Sequence, residues 1–506
     1  MDNSNKKIAY NTIAIYIKLF VNIVLGLLGT RIILNSLGHE DFGIYSLIGG
    51  TIAMLAFFQG SMANASMRFM AYALGQKDDS LNKVFGTTLT IHFIFAIVFV
   101  LLLELVRIPI FDYLLNIPNN KIEATNIVYH CFVITSFFSF VSIPYDSIII
   151  AHEDFISLVI IDIVGIILTF LLAVTINFSH GNLLIKYAIG IALIQILLRI
   201  TKQLYSSKKY PIFTLRGIHY DKKIMNQMLS YTGWNLLGSI AAICVTSLKG
   251  ILLNKYFGLK YNASEGVTKQ VSSKLNLFSS SISQALTPRM IKNEGAGDRY
   301  KMLSIMLFST KITAILYACF AIPAWFYIPQ VLNLWLVNVP EGAVILIRIV
   351  IINAFIEKLS FEITNAIRAV GKIKAFQITE TTIIISNIPI AIILFSCGYE
   401  FYYIYLTTLF ITTICFVVRI YYGVKICNLD AYKYISSCIT SVIVPVIITC
   451  FIFYHFFNLN VEDIASVIAY SCLSVSILIT LFFVIGLEKN EKLNILNFIN
   501  KNSLNK

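Results

Sequence analysis

The sequence has few charged residues, and its long apolar runs do not alternate between apolar and polar positions. Only 13% of its 506 residues are charged, whereas 58% are hydrophobic and the mean hydropathy is +0.79. Soluble domains have about 25% charged residues, so this composition excludes a soluble protein. The runs 91–106 and 160–176 are apolar on every side, unlike strands of a transmembrane barrel. The composition indicates an integral membrane protein built from helices.

The cysteines lack the paired spacing of a metal site. There are nine, an odd number, and they are scattered through apolar segments, as at Cys131, Cys244, Cys319, Cys415 and Cys450. We interpret them as packing residues and expect neither a metal site nor a cofactor.

Apolar stretches of about 20 residues recur along the whole chain, each long enough to cross about 30 Å of hydrocarbon as a helix. We count about fourteen transmembrane helices. They are 8–36, 43–74, 82–111, 121–150, 155–178, 182–205, 229–257, 262–291, 302–328, 341–369, 374–397, 400–426, 434–457 and 463–487. The first run has no small-residue cleavage pattern, so we expect it to remain as the first membrane helix.

The positive charges lie in alternate loops. The loops on one side hold most of the lysines and arginines, among them Lys77, Lys208, Arg299, Arg419 and Lys425. The loops on the other side, such as "GHEDFG" and "NFSHGN", are short and poor in lysine. Lys121 and Lys260 are the main exceptions. The positive-inside rule therefore predicts cytoplasmic termini and explains the net charge of +13 without a nucleic-acid partner.

The chain also contains a weak internal repeat. "ILNSLG" matches "LLNKYFG", and "FFQGSMANASMRFM" matches "LFSSSISQALTPRMI", at an offset of about 220 residues. We predict a first lobe of six helices at 1–205, a cytoplasmic linker at 206–228, a second lobe of six helices at 229–427, and two further helices with a basic tail at 428–506. A pseudo-two-fold axis along the membrane normal would relate the lobes around a cavity, an arrangement suited to alternating access.

The eighth predicted helix carries polar residues at steps of three and four. They are Glu265, Lys269, Ser272, Asn276, Ser279, Ser283 and Thr287. These positions share one helical face, which cannot point at lipid. The face either lines a cavity or forms a polar seam between helices, with Glu265 and Lys269 as an i,i+4 pair.

The first predicted helix has a shorter polar face with Asn11, Lys18, Asn22 and Gly29. Lys18 lies about 15 Å beyond Ile8, near the middle of the bilayer, which favours a position in a cavity. Arg31 points in another direction on a straight helix. Either this helix bends, or one of the two cations anchors the helix at a headgroup region.

Cations outnumber acids within the predicted spans. We expect Arg68 and Lys249 to join Lys18, Asn22, Arg31, Lys269 and Asn276 in binding a substrate, although snorkelling also explains Arg68. The acidic candidates for ion coupling are Asp162, Glu357 and Glu362, and Lys358 is positioned to pair with Glu362. A cationic cavity suits a phosphate-bearing amphiphile.

Three segments resemble a known family. "NTIAIYIKLFVNIVLGLLGTRIILNSLGHEDFGIYSLIGG", "SMANASMRFMAYALG" and "SIPYDSIIIAHEDF" resemble the oligosaccharide and O-antigen flippases of the multidrug/oligosaccharidyl-lipid/polysaccharide exporter superfamily. The resemblance implies a polysaccharide biosynthesis transporter in the bacterial cytoplasmic (inner) membrane. Its substrate would be a polyprenyl-pyrophosphate-linked oligosaccharide, as in lipopolysaccharide synthesis, and its partners membrane lipids and the polysaccharide polymerase machinery.

Two other functions are weighed against this one. A cation-coupled multidrug exporter of the same superfamily would use acids in the first lobe; the first helix has none, but Asp162 keeps that alternative open. A membrane glycan polymerase or ligase would need a sizeable outer loop with catalytic residues, and no nucleophile motif or phosphate loop is present. We therefore do not expect an enzyme.

Overall fold

The computed structural model describes residues 3–53, 56–76, 80–109, 111, 117–210, 220–336, 338–457, 463–488 and 491–492, and their secondary structure is entirely helical. The helices are α1 (Asn3–Ala53), α2 (Ala56–Gln76), α3 (Ser80–Pro109), α4 (Ile122–Ala151), α5 (Phe155–Asn177), α6 (Leu183–Lys209), α7 (Lys222–Phe257), α8 (Leu259–Gly295), α9 (Arg299–Trp335), α10 (Ala343–Val370), α11 (Lys374–Ser396), α12 (Tyr403–Cys427), α13 (Ala431–Phe456) and α14 (Ile464–Gly486). The all-α fold and the number of helices are as predicted.

The boundary between the first two predicted helices is a break of one residue in the observed helix. Helix α1 changes direction at Gly38, where φ is 77° and ψ is 171°, and it is helical again from His39. Glycine adopts this conformation without a steric penalty because it has no Cβ. The sequence predicts a short outer loop over "GHEDFG". The structure corrects this, because only Gly38 leaves the helix and the rest of the motif begins the next helical segment.

Eleven of the described helices are apolar and long enough to cross a bilayer. The other three are α2, α8 and α10, whose sequences place polar and charged residues along most of their length. Lipid contact on every side would leave these groups without polar partners. These three helices are therefore the first places to look for a polar function.

The described residues form two compact units. One contains Ala9–Leu236 and is called the first lobe; the other contains Leu237–Glu294 and the described residues from Asp298 onward and is called the second lobe. The boundary falls within α7. Residues 211–219 of the predicted linker and 493–506 of the predicted tail lie outside the described part of the chain.

The two lobes share one packing scheme. In the first lobe α4 packs against α2, α3 and α6, and in the second α10 packs against α9 and α12. The hydroxyl of Tyr129 on α4 donates to the Leu103 carbonyl of α3, and the hydroxyl of Tyr317 on α9 donates to the Ile351 carbonyl of α10. Gly258, at the position that matches Gly38, also has a positive φ, of 81°. These correspondences support the internal repeat.

The two exceptions to the positive-inside rule are both ion-paired. Lys121 Nζ lies 2.6 Å from Asp41 Oδ1 in the first lobe, and Lys260 pairs with Glu341 in the second. The matching positions carry opposite charges, since the acid comes first in one lobe and the lysine first in the other. Each of these two lysines is thus neutralised locally by an acidic side chain.

The turn between α4 and α5 is fixed by one carboxylate. Asp154 accepts hydrogen bonds from the side chains of Ser157, Tyr205, Lys209 and Tyr210, at 2.9, 2.7, 2.7 and 3.2 Å. Burial alone would raise the pKa of Asp154, but the hydrogen bonds from Lys209, Tyr205 and Ser157 lower that pKa below its usual value. This turn therefore fastens the end of α6 to the start of α5.

Candidate functional site

A row of five charged side chains links four helices of the first lobe. Lys18 Nζ on α1 lies 2.6 Å from Asp162 Oδ2 on α5, and Lys202 Nζ on α6 lies 2.9 Å from the other oxygen of Asp162. Lys202 also lies 3.7 Å from Asp146 Oδ1 on α4, whose second oxygen is 3.2 Å from Arg199 Nη1. We call these five residues the first-lobe charge cluster.

This cluster contains two residues for which the sequence predicts different roles. Lys18 is predicted to bind substrate and Asp162 to couple an ion, yet the two are direct partners. Both carboxylates of the cluster are ion-paired. Because the cluster has three cations and two carboxylates, its net charge is +1. Within a membrane such pairing offsets the cost of burying each charge, most of all for Lys202, which is only 8% exposed.

Sequence reasoning missed Asp146 and Lys202 as members of the site. Lys202 follows Arg199 by one turn on α6, so two cations on one helical face are a readable signal. Asp146 stands alone near the end of α4, and only the packing of α4 against α6 reveals its partners.

A partly polar cavity of about 350 Å³ lies in the first lobe beside this cluster. Its lining includes Gln59, Ser136, Ser139, Gln195, Arg199 and the aromatic side chains Tyr45, Phe99 and Phe132. Ser139 donates to Gln59 Oε1 at 3.3 Å, and Gln195 lies one turn before Arg199 on α6. Arg199 therefore connects the cavity to the charge cluster, and the cavity suits a small polar or anionic group.

The other predicted site residues of the first lobe have different surroundings. The Arg68 guanidinium lies over three rings, 4.8 Å from the centroid of Phe69, 4.9 Å from that of Tyr72 and 5.4 Å from that of Tyr231. Cation–π contacts of this kind hold Arg68 between α2 and α7. Asn22 and Arg31 are both exposed on α1. The structure does not bring Asn22, Arg31 or Arg68 into the first-lobe charge cluster.

In the second lobe a buried carboxylate lies between α7 and α8. Glu265 is 4% exposed and its Oε1 lies 2.8 Å from Lys269 Nζ, as the i,i+4 spacing predicts. A Cβ on Gly250 would lie 2.8 Å from Glu265 Oε2, so the glycine makes room for the carboxylate. The neighbouring Lys249 is 5.4 Å from the ring centroid of Tyr405 on α12.

Most of the polar face predicted on α8 points into the lobe. Glu265, Ser279 and Ser283 are buried, and Asn276 Nδ2 donates to the Ser272 carbonyl of its own helix at 2.9 Å. The interpretation as a polar seam thus describes this face better than a cavity lining does. Lys269 is the exception, since its side chain is 47% exposed.

The opposite side of α8 is exposed and is also polar. Its exposed residues include Gln270, Ser273, Lys274 and Gln284. Lys274 lies about 22 Å along the helix, far from either end, where a charged group in lipid costs about 2.5–3.5 kcal/mol. This side of α8 therefore borders water. The sequence predicts only one of the two polar sides of this helix as a site and so misses Lys274; the remaining side, with Val267, Val271 and Leu275, is apolar and packs against the core.

The acids of α10 do not pair with Lys358. Glu362 is 1% exposed and accepts from Asn365 Nδ2 at 3.0 Å, while Asn365 Nδ2 also donates to Ser283 Oγ at 3.2 Å. Lys358 instead lies 5.9 Å from the Phe361 ring centroid. The expected i,i+4 pair is therefore wrong. Glu357 is half-buried on the same helix.

A buried ion pair joins α11 and α12. Arg419 Nε lies 2.7 Å from Glu380 Oε1, and Arg419 Nη1 donates to Ser360 Oγ at 3.1 Å. Arg419 and Glu380 are 8% and 4% exposed. Arg419 is predicted to lie in a cytoplasmic loop, and its position inside α12 corrects that assignment. The sequence analysis did not consider Glu380.

Comparison with known proteins shows the fold. No protein-family model matches the sequence, and no curated protein is significantly similar to it. Among solved structures, the chain is similar to an outward-facing multidrug resistance MATE family transporter of the MOP superfamily, with a TM-score of 0.72, 13% identity, and coverage of 84% of this chain and 96% of that one. The chain therefore has the fold of these transporters.

Two further similar structures differ in what their descriptions say about binding. One is a MOP superfamily transporter from Pyrococcus furiosus, described as having a binding pocket of reverse polarity that suggests a different function; its TM-score is 0.71 at 13% identity, with 84% of this chain and 96% of that chain covered. The other is the MATE transporter ClbM in complex with Rb⁺, with a TM-score of 0.68 at 15% identity and coverage of 84% and 96%.

Proposed function

We propose that this protein is a flippase of the cytoplasmic membrane. In this proposal it moves polyprenyl-pyrophosphate-linked oligosaccharide units from the cytoplasmic to the outer leaflet by alternating access, for O-antigen or another surface polysaccharide. The polymerase machinery that consumes such units would be its partner. The fold of the similar transporters supports a transport function, and the choice of substrate rests on the charges.

The observation that carries the proposal is the pairing of the embedded acids of the first lobe. Asp146 and Asp162 are each in ion pairs with lysine or arginine, and the first-lobe charge cluster retains one excess positive charge. An exporter that binds a coupling cation through this cluster would first have to displace an ammonium group. A cluster of excess positive charge instead favours an anionic substrate.

Helix α8 supplies the second support. Its water-facing side exposes Lys274, and Lys269 lies five residues earlier, on the face of Glu265, with nearly half of its side chain exposed. An ammonium group on a water-facing helix side suits a pyrophosphate, which carries several anionic oxygens. The neighbouring Gln270 and Ser273 add the neutral hydrogen-bonding groups that sugar hydroxyls require.

A cation-coupled multidrug exporter is the second candidate. It is favoured by Glu357 and Glu362 on α10, the latter held by Asn365 rather than by a cation. The fold fits an exporter equally well. The two candidates differ in the sign of charge that they require at the site, so they are separated by measuring which substrate moves.

The test is transport by the full chain in vesicles. We expect movement of a fluorescent polyprenyl-pyrophosphate-linked trisaccharide between leaflets, and no accumulation of a cationic dye under a proton or sodium gradient. The double variant Lys269→Gln, Lys274→Gln should lower glycolipid movement about tenfold or more.

The matched control is Lys425→Gln, which removes an exposed cation from the end of α12 and should leave transport unchanged. Dye accumulation without glycolipid movement would refute the flippase and support the exporter. Unchanged glycolipid movement in the folded double variant would remove α8 from the substrate path.

A further inference from the structure

The second lobe has an apolar groove formed by α9, α10 and α13. Its volume is about 230 Å³. The lining is apolar, with small side chains beside aromatic and branched ones: Ala318, Ala321, Trp325, Phe326, Ile352 and Cys450 are examples. A cavity of about 150 Å³ accommodates benzene, so this groove has room for a longer stretch of hydrocarbon.

The groove opens towards lipid in the outer half of the membrane. Ile352 is 38% exposed although it is wholly apolar. At about 1.5 Å per residue, Ile352 lies about 14 Å from the start of α10, and Cys450 lies about 9 Å from the end of α13. Both of these helix ends are on the predicted outer side, so the groove belongs to the outer leaflet.

A single cation lies at the outer end of this groove. Arg348 precedes Ile352 by one turn on α10 and is half-buried. Its Nε donates to the Trp325 carbonyl at 3.3 Å, and its guanidinium carbon lies 5.8 Å from the centroid of the Trp325 ring. The side chain of Trp325 in turn lines the groove. The cation and the hydrocarbon surface are therefore adjacent parts of one feature.

The charge of Arg348 has no carboxylate partner among the described residues. Across the described residues no carboxylate lies within 4 Å of its guanidinium, and its one hydrogen bond uses one of five N–H donors. A guanidinium about 8 Å inside the end of a membrane helix needs an anionic partner or water. The bilayer itself provides that partner as phosphate at this depth.

We propose that the groove binds a phospholipid with an anionic headgroup. One hydrocarbon chain lies along Ala318, Ala321 and Ile352, and the phosphate accepts hydrogen bonds from the free nitrogens of Arg348. An anionic headgroup is preferred because it brings no ammonium group to compete for the phosphate or to be repelled by the arginine. This lipid site is independent of the transported substrate.

The experiment uses Trp325 as its reporter. The chain has three tryptophans, so Trp234→Phe together with Trp335→Phe leaves Trp325 as the only one. This protein is placed in phosphatidylcholine vesicles with increasing fractions of brominated lipid, because bromine quenches an indole that it touches. Brominated phosphatidylglycerol should quench Trp325 about fivefold more effectively at low fractions than brominated phosphatidylcholine does.

Three variants in this background identify the source of the preference. Arg348→Gln should abolish the preference but keep quenching by either lipid, and Arg348→Lys should retain part of it because the charge remains. Cys450→Phe fills the groove and should reduce quenching by both lipids. Lys433→Gln, an exposed cation on α13, is the matched control and should leave the preference unchanged.

Three results would overturn the proposal. The first is equal quenching by the two lipids, and the second is a preference that survives Arg348→Gln in a protein that elutes as a folded monodisperse species. The third is displacement of brominated phosphatidylglycerol by a small fraction of polyprenyl phosphate, which would assign the groove to an isoprenoid chain. Failure of glycolipid transport would not affect either readout.

Discussion

The two lobes have the same packing scheme but distribute their charges differently. In the first lobe, five charges on α1, α4, α5 and α6 form a continuous row from Lys18 to Arg199. In the second lobe, the charges are separate: Arg419 pairs with Glu380 in the interior, and Glu265 pairs with Lys269 near an exposed polar helix side. The same helix packing is thus compatible with different positions of the charged residues in the two lobes.

This difference predicts unequal sensitivity to the loss of one charge. When the central charge is removed from a row of ion pairs, each remaining charge still has a partner of opposite sign. When one charge is removed from an isolated buried pair, the other charge stays buried without compensation. Four measurements test this comparison.

Breaking the interior pair of the second lobe should have the largest effect. Glu380→Gln removes the carboxylate that faces Arg419 and leaves the buried guanidinium with neutral partners only, the amide oxygen and Ser360, so we expect a loss of about 3–5 kcal/mol of stability. Thermal unfolding in detergent measures this loss. The double variant Arg419→Met, Glu380→Met should be more stable than Glu380→Gln, and a double variant that is less stable would contradict this account.

Removing the central cation of the first-lobe charge cluster should cost less. Lys202→Met leaves Asp162 paired with Lys18 and Asp146 paired with Arg199, so we expect a loss of about 1–3 kcal/mol. The same unfolding assay applies, with Lys208→Met, an exposed lysine on α6, as the control. A loss equal to that of Glu380→Gln would show that the row does not share its charges.

A third, smaller effect is expected from an ion pair between Lys311 and the segment that follows α14. Lys311 on α9 is 2% exposed, and its Nζ lies 3.0 Å from Glu491 Oε2 and 3.7 Å from Glu488 Oε1. Glu491→Gln should speed proteolytic cleavage after α14 several-fold, because one of two carboxylates that hold this segment is lost. Cleavage at an unchanged rate would show that the ion pair does not hold the segment.

The smallest effect should appear at low pH in the turn between α4 and α5. The pKa of Asp154 is lower in the folded protein than in the unfolded chain, where it is about 4. Its contribution to stability is therefore present above about pH 4 and is lost as the pH falls through the lower, folded value. Asp154→Asn should remove this part of the acid dependence of unfolding, and an unchanged acid profile would contradict it.

Much of the fold follows from the sequence because a membrane imposes simple rules. Helix number follows from the length of apolar runs, and the match between Gly38 and Gly258 follows from the repeated sequence around them. The details of the site do not follow in this way. Lys18 and Asp162 are far apart in sequence, and only the packing of α1 against α5 shows that they neutralise each other.

The buried side of helix α8 also could not be predicted from the sequence. Periodicity identifies a polar face when the opposite face is apolar, as in an amphipathic helix. Helix α8 has two polar sides beside its apolar one, so the spacing of Ser279 and Ser283 is as regular as that of the exposed residues. Burial alone separates the two sides, and burial depends on neighbours that the local sequence does not contain.

The reversed outer ion pairs have an evolutionary consequence. If the two halves descend from one duplicated ancestor, the pair Asp41–Lys121 and the pair Lys260–Glu341 cannot both preserve the ancestral order of charges. At least two substitutions separate them, and the step between them would have lost the attraction or placed like charges in contact. Contacts of this kind change stability by only about 1 kcal/mol, so such a step costs little. The order of charges in this contact is therefore free to change while the fold is kept.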